Sequence, residues 1–278
     1  MSGSSELPRL LAALPDALAA AGVVLPEGRL VHGNEGEDDQ PTMWVSDGPA
    51  TRQLWTALRA AHEKSGLWPL LLDHLRGDTA RPWDDGELWP ADMSDPGAWD
   101  AQALMAGWWA DHTSIDDSDN LSPAERLAVT APYGQRWPGL AAPQPVGDDP
   151  DLHADECVSV MLAGNPGLRL GLVATARGTD SITAAGWQGP ANYDNDTAKL
   201  SAVLRSWEHR FATRVIGVGF AELYLSVAAP PTDHAAALTI AAEHFAFCPD
   251  NVWQGSAPDF TTYASRLIDA PIWSFWWD

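Results

Sequence analysis

The chain has 278 residues, room for one large domain or two ordinary ones, and 45% of them are hydrophobic, so a sizeable core can be buried. Fifteen are tryptophan, against six phenylalanines and four tyrosines, and rings of that size need covering neighbours, which argues against a disordered chain. The formal net charge of −22 repels phosphate backbones and anionic lipid, setting aside nucleic-acid and membrane-surface binding and leaving a basic protein, a cation or plain solubility.

Two cysteines, Cys157 and Cys248, are too few for a disulfide framework. The first 25 residues carry no basic leader, and Pro15 and Asp16 interrupt their apolar run short of the ~20 residues of a membrane span. A soluble, cytoplasmic protein is expected.

In chain order, Leu7, Leu10, Leu11, Leu14 and Leu18 recur at helical spacing, with Gly22 as the stop. Arg29 to His32 and Thr42 to Ser46 are strand candidates on either side of an acidic loop, GNEGEDDQP. A helix with Leu54, Trp55, Leu58, Ala61 and His62 on one face follows Asp47-Gly48-Pro49 and ends at Gly66. Leu67 to Leu72 is an apolar strand that Pro69 assigns to a sheet edge. Residues 81–120 hold ten acids, one base and five tryptophans, with a helix from Pro96 to Trp109 capped by Asp95. Ser122-Pro123-Ala124-Glu125 is a capping box that opens the next helix. The Pro-, Gly- and Asp-rich run from Tyr133 to Asp151 reads as a linker, dividing an N-terminal α/β region (1–147) from a C-terminal domain (148–278).

Beyond it the pattern is cleaner. A helix from Pro150 buries Ala154, Cys157, Val158, Met161 and Leu162, and Leu168, Leu170 and Leu172 alternate in a strand. Asp196 caps a helix striped by Leu200, Val203, Leu204, Trp207 and Phe211. Val215 to Phe220 and Leu223 to Ala228 form a hairpin. A helix then leads to Pro249-Asp250-Asn251, a short helix spans Asp259 to Ile268, and Ile272 to Trp277 closes the chain as a strand. The order predicts an α+β fold with a ferredoxin-like split βαβ sheet packed on the N-terminal region, or a mixed sheet shared with that region. Rings on both faces of the closing strand (Trp273, Phe275 and Trp277 against Trp276) predict cover on both sides, by the N-terminal part.

Four segments carry a family likeness: GWQGPANYDNDTAKLSAVLRSWEHRF, IGVGFAELYLSVAAPP, AAEHFAFCPDNVWQG and WSFWWD. With them the chain resembles a bacterial, actinobacterial family, the domain of unknown function 4253, over roughly residues 168–278. HEKSGLWPLLL and GWWADHTS resemble its longer members. The family has no assigned activity, so the resemblance implies a domain and no catalytic residue.

Three constellations remain. His153 with Cys157, and His244 with Cys248, are i, i+4 pairs that could supply four zinc ligands. Each cysteine equally fits the apolar stripe of its helix, and C-x-x-C is absent, so core packing is expected, with a reactive thiol at Cys248 as a further reading. Asn192, Tyr193, Asp194 and Asp196 in one loop, and Asp250, Asn251 and Gln254 in another, would suit a polar ligand or divalent ion if they converged. Glu243, His244 and Asp250 are the candidates for acid or base work, and cap and turn chemistry is the competing explanation. The tryptophans offer a recognition surface or a core, and their size favours the core. G-x-S-x-G, H-E-x-x-H, Walker and EF-hand patterns are absent, and Gly217-Val218-Gly219 is half a dinucleotide fingerprint. The expected function is a non-catalytic, cofactor-free acidic protein that binds a basic partner, immunity-like in kind. The alternative is an enzyme or a small-ligand or divalent-metal binder using the C-terminal carboxylates.

Overall fold

Among the described residues seven strands pair into one sheet: β1 (Gly28–His32), β2 (Pro41–Pro49), β3 (Leu67–Leu72), β4 (Arg169–Ala174), β5 (Thr213–Val218), β6 (Glu222–Val227) and β7 (Ile272–Trp276). Across the sheet they run β1-β2-β4-β3-β5-β6-β7, and only the β3–β5 pairing is parallel. This computed structural model describes residues 6–34, 41–115 and 122–278, so most of the acidic GNEGEDDQP loop (35–40) and the end of the acidic segment (116–120) lie outside the described residues.

The fold is α+β, and the C-terminal strands and helices follow the expected chain order. Their spatial order differs from a ferredoxin-like one, because β3 of the N-terminal region stands between β4 and β5. The cause is visible in β3 itself. Its six residues, LWPLLL, are all buried, with Leu67 and Leu71 in the core on one side and Trp68, Leu70 and Leu72 in the core on the other. A strand apolar on both faces needs cover on both, which a central position provides.

Pro69 therefore does not mark an edge strand, and the structure shows how it is accommodated. The ladder to β5 begins only at Leu71, two residues past the proline. Before that point the Trp68 indole N–H donates to the Val215 carbonyl at 3.0 Å, a side-chain bond where no backbone ladder runs. Gly217 lies opposite Leu71, and a Cβ there would sit 2.8 Å from the Leu71 carbonyl oxygen. Close strand approach accounts for this glycine, and no phosphate-binding turn is needed.

Helices cover both faces. On one side α1 (Leu7–Leu18), α2 (Arg52–Ser65) and α5 (Pro150–Gly164) bury Leu14, Trp55, Leu58, Cys157 and Val158 against Leu170, Leu172 and Ile216. The Thr51 hydroxyl caps α2, and Gly66 at φ +69° ends it. On the other side lie α3 (Ala101–His112), α7 (Thr197–Phe211), α8 (His234–Phe247) and α10 (Phe260–Ser265), which contribute Trp109, Trp207, Phe245 and Phe260. Shorter helices are α4 (Pro123–Val129), opened by the predicted capping box, α6 (Ser181–Ala185) and α9 (Asp250–Trp253).

Three expectations change. The helix read from Pro96 to Trp109 is a 3₁₀ turn over Pro96–Ala98, capped by Asp95, followed by extended Trp99 and a fresh start of α3 at the Asp100 cap. Pro249-Asp250-Asn251 opens the one-turn helix α9. Trp273, Phe275 and Trp277 face a core, but on the other face of β7 only Ile272 is packed, and Ser274 and Trp276 are exposed, so cover on that side is partial.

Candidate functional site

The polar residues at the C-terminal end of α8 separate into distinct groups, beginning with Glu243. It is wholly buried. Arg210 of α7 grips it in a bidentate pair at 2.7 and 2.6 Å, the Trp207 indole donates to it at 2.7 Å, and the Ala141 backbone N–H donates at 2.6 Å. Every lone-pair direction is thus occupied, and the carboxylate has no room to accept a substrate proton. Glu243 is an architectural ion pair, which corrects its reading as an acid or base.

His244 is also interior. Its Nδ1 lies 2.9 Å from the Tyr263 hydroxyl, and its ring is surrounded by Trp207, Trp273 and Phe275 at centroid distances of 5.4, 4.5 and 4.8 Å. Asn251 donates to the Tyr263 oxygen at 3.1 Å, which directs the hydroxyl proton to Nδ1 and leaves Nε2 to carry the ring hydrogen. Nε2 has no hydrogen-bond partner among the described residues. Burial drives the imidazole pKa down to about 3, so it stays neutral in a sealed aromatic box and shuttles no proton to solvent.

The two loops meet through one contact. The Tyr193 hydroxyl donates to Asp250 Oδ1 at 2.8 Å, Gln254 Nε2 donates to the same oxygen at 3.1 Å, and the Asp278 backbone N–H donates to Oδ2 at 3.0 Å. Asn192 completes the cluster by donating to the Asp278 carbonyl at 2.6 Å. Asp250 is buried, and no cation pairs with it among the described residues. Burial, and after it the bond to Asp250, push the Tyr193 phenol well above its ordinary value. The Tyr193 ring packs edge-on against His112 at 5.8 Å, which in turn meets Trp253 at 5.8 Å, so a half-open aromatic group covers the carboxylate.

Asn251 turns elsewhere. Its amide donates to the Ser274 carbonyl at 2.8 Å and its oxygen accepts the Trp276 N–H at 3.2 Å, so one side chain occupies the free edge of β7 as a partner strand would. Asp194 pairs with Lys199 at 2.7 Å. Asp196 caps α7 through Ala198 N–H and takes both the N–H and the hydroxyl of Ser94, fastening the acidic tryptophan segment to the C-terminal part. Lys199 also lies 5.2 Å over the Trp99 ring, a cation already seated on an aromatic face between acids. Asn192, Tyr193, Asp250 and Gln254 are therefore brought together, while Asp194, Asp196, Asn251, Glu243 and His244 are not part of that group.

The four zinc candidates do not assemble. His153 and Cys157 both bond to the Pro271 carbonyl, at 3.3 and 3.4 Å, on the α5 side of the sheet. Cys248 lies on the opposite side and donates to the Trp276 carbonyl at 3.0 Å. Among the described residues no group of three or more His, Cys, Asp or Glu is arranged to hold a metal ion. Burial raises the Cys248 thiol far above the ordinary cysteine value and lifts Cys157 to about 11, the opposite of what a reactive thiol needs.

Sequence reasoning passed over Arg210, Ala141 and His112. Arg210 lies 33 residues from its partner, and a basic residue in the last turn of a helix reads as ordinary dipole chemistry. His112 is drawn in by burial, which lowers its pKa, and its WWADH context gives only the signal of an apolar helix end.

The C-terminal part is similar to the family described as Domain of unknown function (DUF4253), whose model matches residues 169–278. No curated protein and no solved structure matches the chain. The matched span contains Arg210, Glu243, Tyr193 and Asp250, and ends well short of Ala141 on its N-terminal side. No helix among the described residues is long and apolar enough to cross a membrane.

Proposed function

We propose that this protein is a non-catalytic, cofactor-free, cytoplasmic binder of a basic protein, acting in an immunity-like manner through the acidic segment after β3. The observation that carries this reading is how that segment is held. Trp83 and Leu88 are buried, the Trp83 indole donates to the Asp73 carbonyl, and Trp89 N–H bonds to the Gly186 carbonyl at 2.7 Å. Anchored in this way, the segment presents Asp85, Asp92, Asp95 and Asp100 as exposed residues, with a half-exposed Trp99 between the last two. Rigid carboxylates around an aromatic ring suit lysine and arginine side chains, and Lys199 over Trp99 is an internal example of that contact.

The test replaces Asp85, Asp92, Asp95 and Asp100 together by asparagine, which removes charge while keeping side-chain oxygens for the caps at Asp95 and Asp100. Wild type and variant, with matching circular dichroism, are used to capture proteins from the native cell lysate at low and high salt. A basic protein retained by wild type at low salt, released by high salt and lost with the variant is the expected result. Equal capture by both chains, or no capture, defeats the proposal.

The alternative of a small-ligand site rests on Tyr193, Asp250 and Gln254 beneath the His112–Trp253 aromatic group. A ligand that raises Tm in wild type and not in Tyr193→Phe would favour it over partner binding.

A further inference from the structure

Residues 136–147 form no helix, strand or turn, yet Ala141 in their middle is buried. Both polar groups of Ala141 are taken by charged side chains. Its N–H donates to Glu243 Oε1 at 2.6 Å, and its carbonyl accepts from Arg210 Nη1 at 2.9 Å. A third bond runs from Gln144 N–H to the Arg210 carbonyl at 3.0 Å. Reading the N–H and the C=O of one residue is what a neighbouring β-strand does in peptide recognition. Here a buried ion pair between α7 and α8 does it in place of a strand. The pair is itself braced, by Trp207 on Glu243 at 2.7 Å and by Ser206 on Arg210 at 3.1 Å.

The occupant contributes little besides backbone at the reading point. Ala141 offers a methyl group, and Ala142, Pro143, Pro145 and Val146 beyond it are exposed. Trp137 and Leu140 pack partly against the core just before it. The halves of the contact also differ in origin, since Arg210, Trp207 and Glu243 fall inside the matched family span and Ala141 outside it. A buried ion pair is a weak source of stability in itself, and this one also reads a backbone.

We propose that the cleft between α7 and α8 is a receptor site for an extended peptide with a small residue at its centre, and that residues 136–146 are a tethered ligand filling it. The strap is exchangeable for a segment of the same sequence presented in trans. Two measurements on the full chain decide this. In native-state hydrogen exchange, the amides of Ala141 and Gln144 open locally, at least about ten-fold faster than Leu71 and Leu172 in the sheet and with little denaturant dependence. Exchange of the strap amides only together with the sheet overturns the proposal. In the second, Ala141→Pro removes the N–H that Glu243 accepts and frees the cleft. A fluorescent peptide with the sequence of residues 136–146 then binds the variant saturably and at least about ten-fold more tightly than wild type, by relief of intramolecular competition. The same peptide with proline at its central alanine does not bind. A folded variant that binds the two peptides equally, or neither, overturns the proposal, as does a variant that loses its near-ultraviolet circular dichroism, since the strap is then part of the core.

Discussion

Glu243 and Asp250 are both buried carboxylates, seven residues apart, one in the last turns of α8 and the other at the start of α9, and they are solved in opposite ways. Glu243 is met by a guanidinium, an indole and a backbone N–H. Asp250 is met by a phenol, an amide and a backbone N–H, all neutral. A buried charge needs either a counter-ion or several oriented dipoles, and this short stretch uses one remedy for each residue. Neighbours explain the choice: Glu243 faces Arg210 and Trp207 of α7, whereas Asp250 lies beneath a tyrosine that is 40% exposed.

The most severe way to break this contrast is to remove one member of the ion pair. Glu243→Ala or Arg210→Ala strands a buried charge and should cost about 3–5 kcal/mol in denaturant unfolding. Replacing both at once should cost less than the sum of the single losses, which a double-mutant cycle would register.

Acid acts next. The folded His244 pKa is near 3, and an unfolded histidine titrates near ~6.5. Between those values the unfolded chain binds more protons, so stability falls as pH drops from about 6.5 towards 3 and is unaffected by this group above about 7. Burial of His112 lowers its pKa and adds in the same direction. His244→Gln, which retains an acceptor for Tyr263 and cannot become charged, should flatten that part of the pH–stability curve.

Asp250→Asn should be milder, about 1–3 kcal/mol, because an amide can still accept from Tyr193 but has only one carbonyl oxygen to share among three donors. A loss as large as that of Glu243→Ala would mean that the neutral cage depends on charge as much as the ion pair does. Asn251→Ala, which exposes the edge of β7, should cost about 1 kcal/mol and appear first as faster amide exchange at Trp276. Smallest of all, Cys157 and Cys248 should resist alkylation in the native state and react on unfolding, with no change in fold from Cys248→Ala beyond a small packing loss.

What was legible in the sequence follows the range of each interaction. The α7 stripe, the Asp196 cap and the Ser122 capping box are set by residues two to four apart, and all are present. The β5–β6 hairpin is equally local. Pro69 misled because proline restricts one side of a strand over one stretch, and β3 has a shorter ladder on that side. The proline-rich run before α5 suggested slack, and only the distant pair Arg210 and Glu243 shows that it is pinned. The site divided for the same reason. Tyr193 and Asp250 are 57 residues apart, and no spacing rule links them, nor separates them from Asp194 and Asp196.

The place of β3 has a consequence for how the chain is built. β4 and β5 are joined only through a strand made about a hundred residues before β4, so the C-terminal strands, taken alone, would face one another across a vacancy roughly two strand spacings, about 10 Å, wide. During synthesis the N-terminal region emerges first, and both edges of β3 stay unpaired until β4, at the start of the matched span, and then β5, near its middle, have followed. Closing that sheet is a long-range step, paid for in loop entropy before any ladder forms, and it ties the folding rate of the C-terminal part to residues that lie outside it.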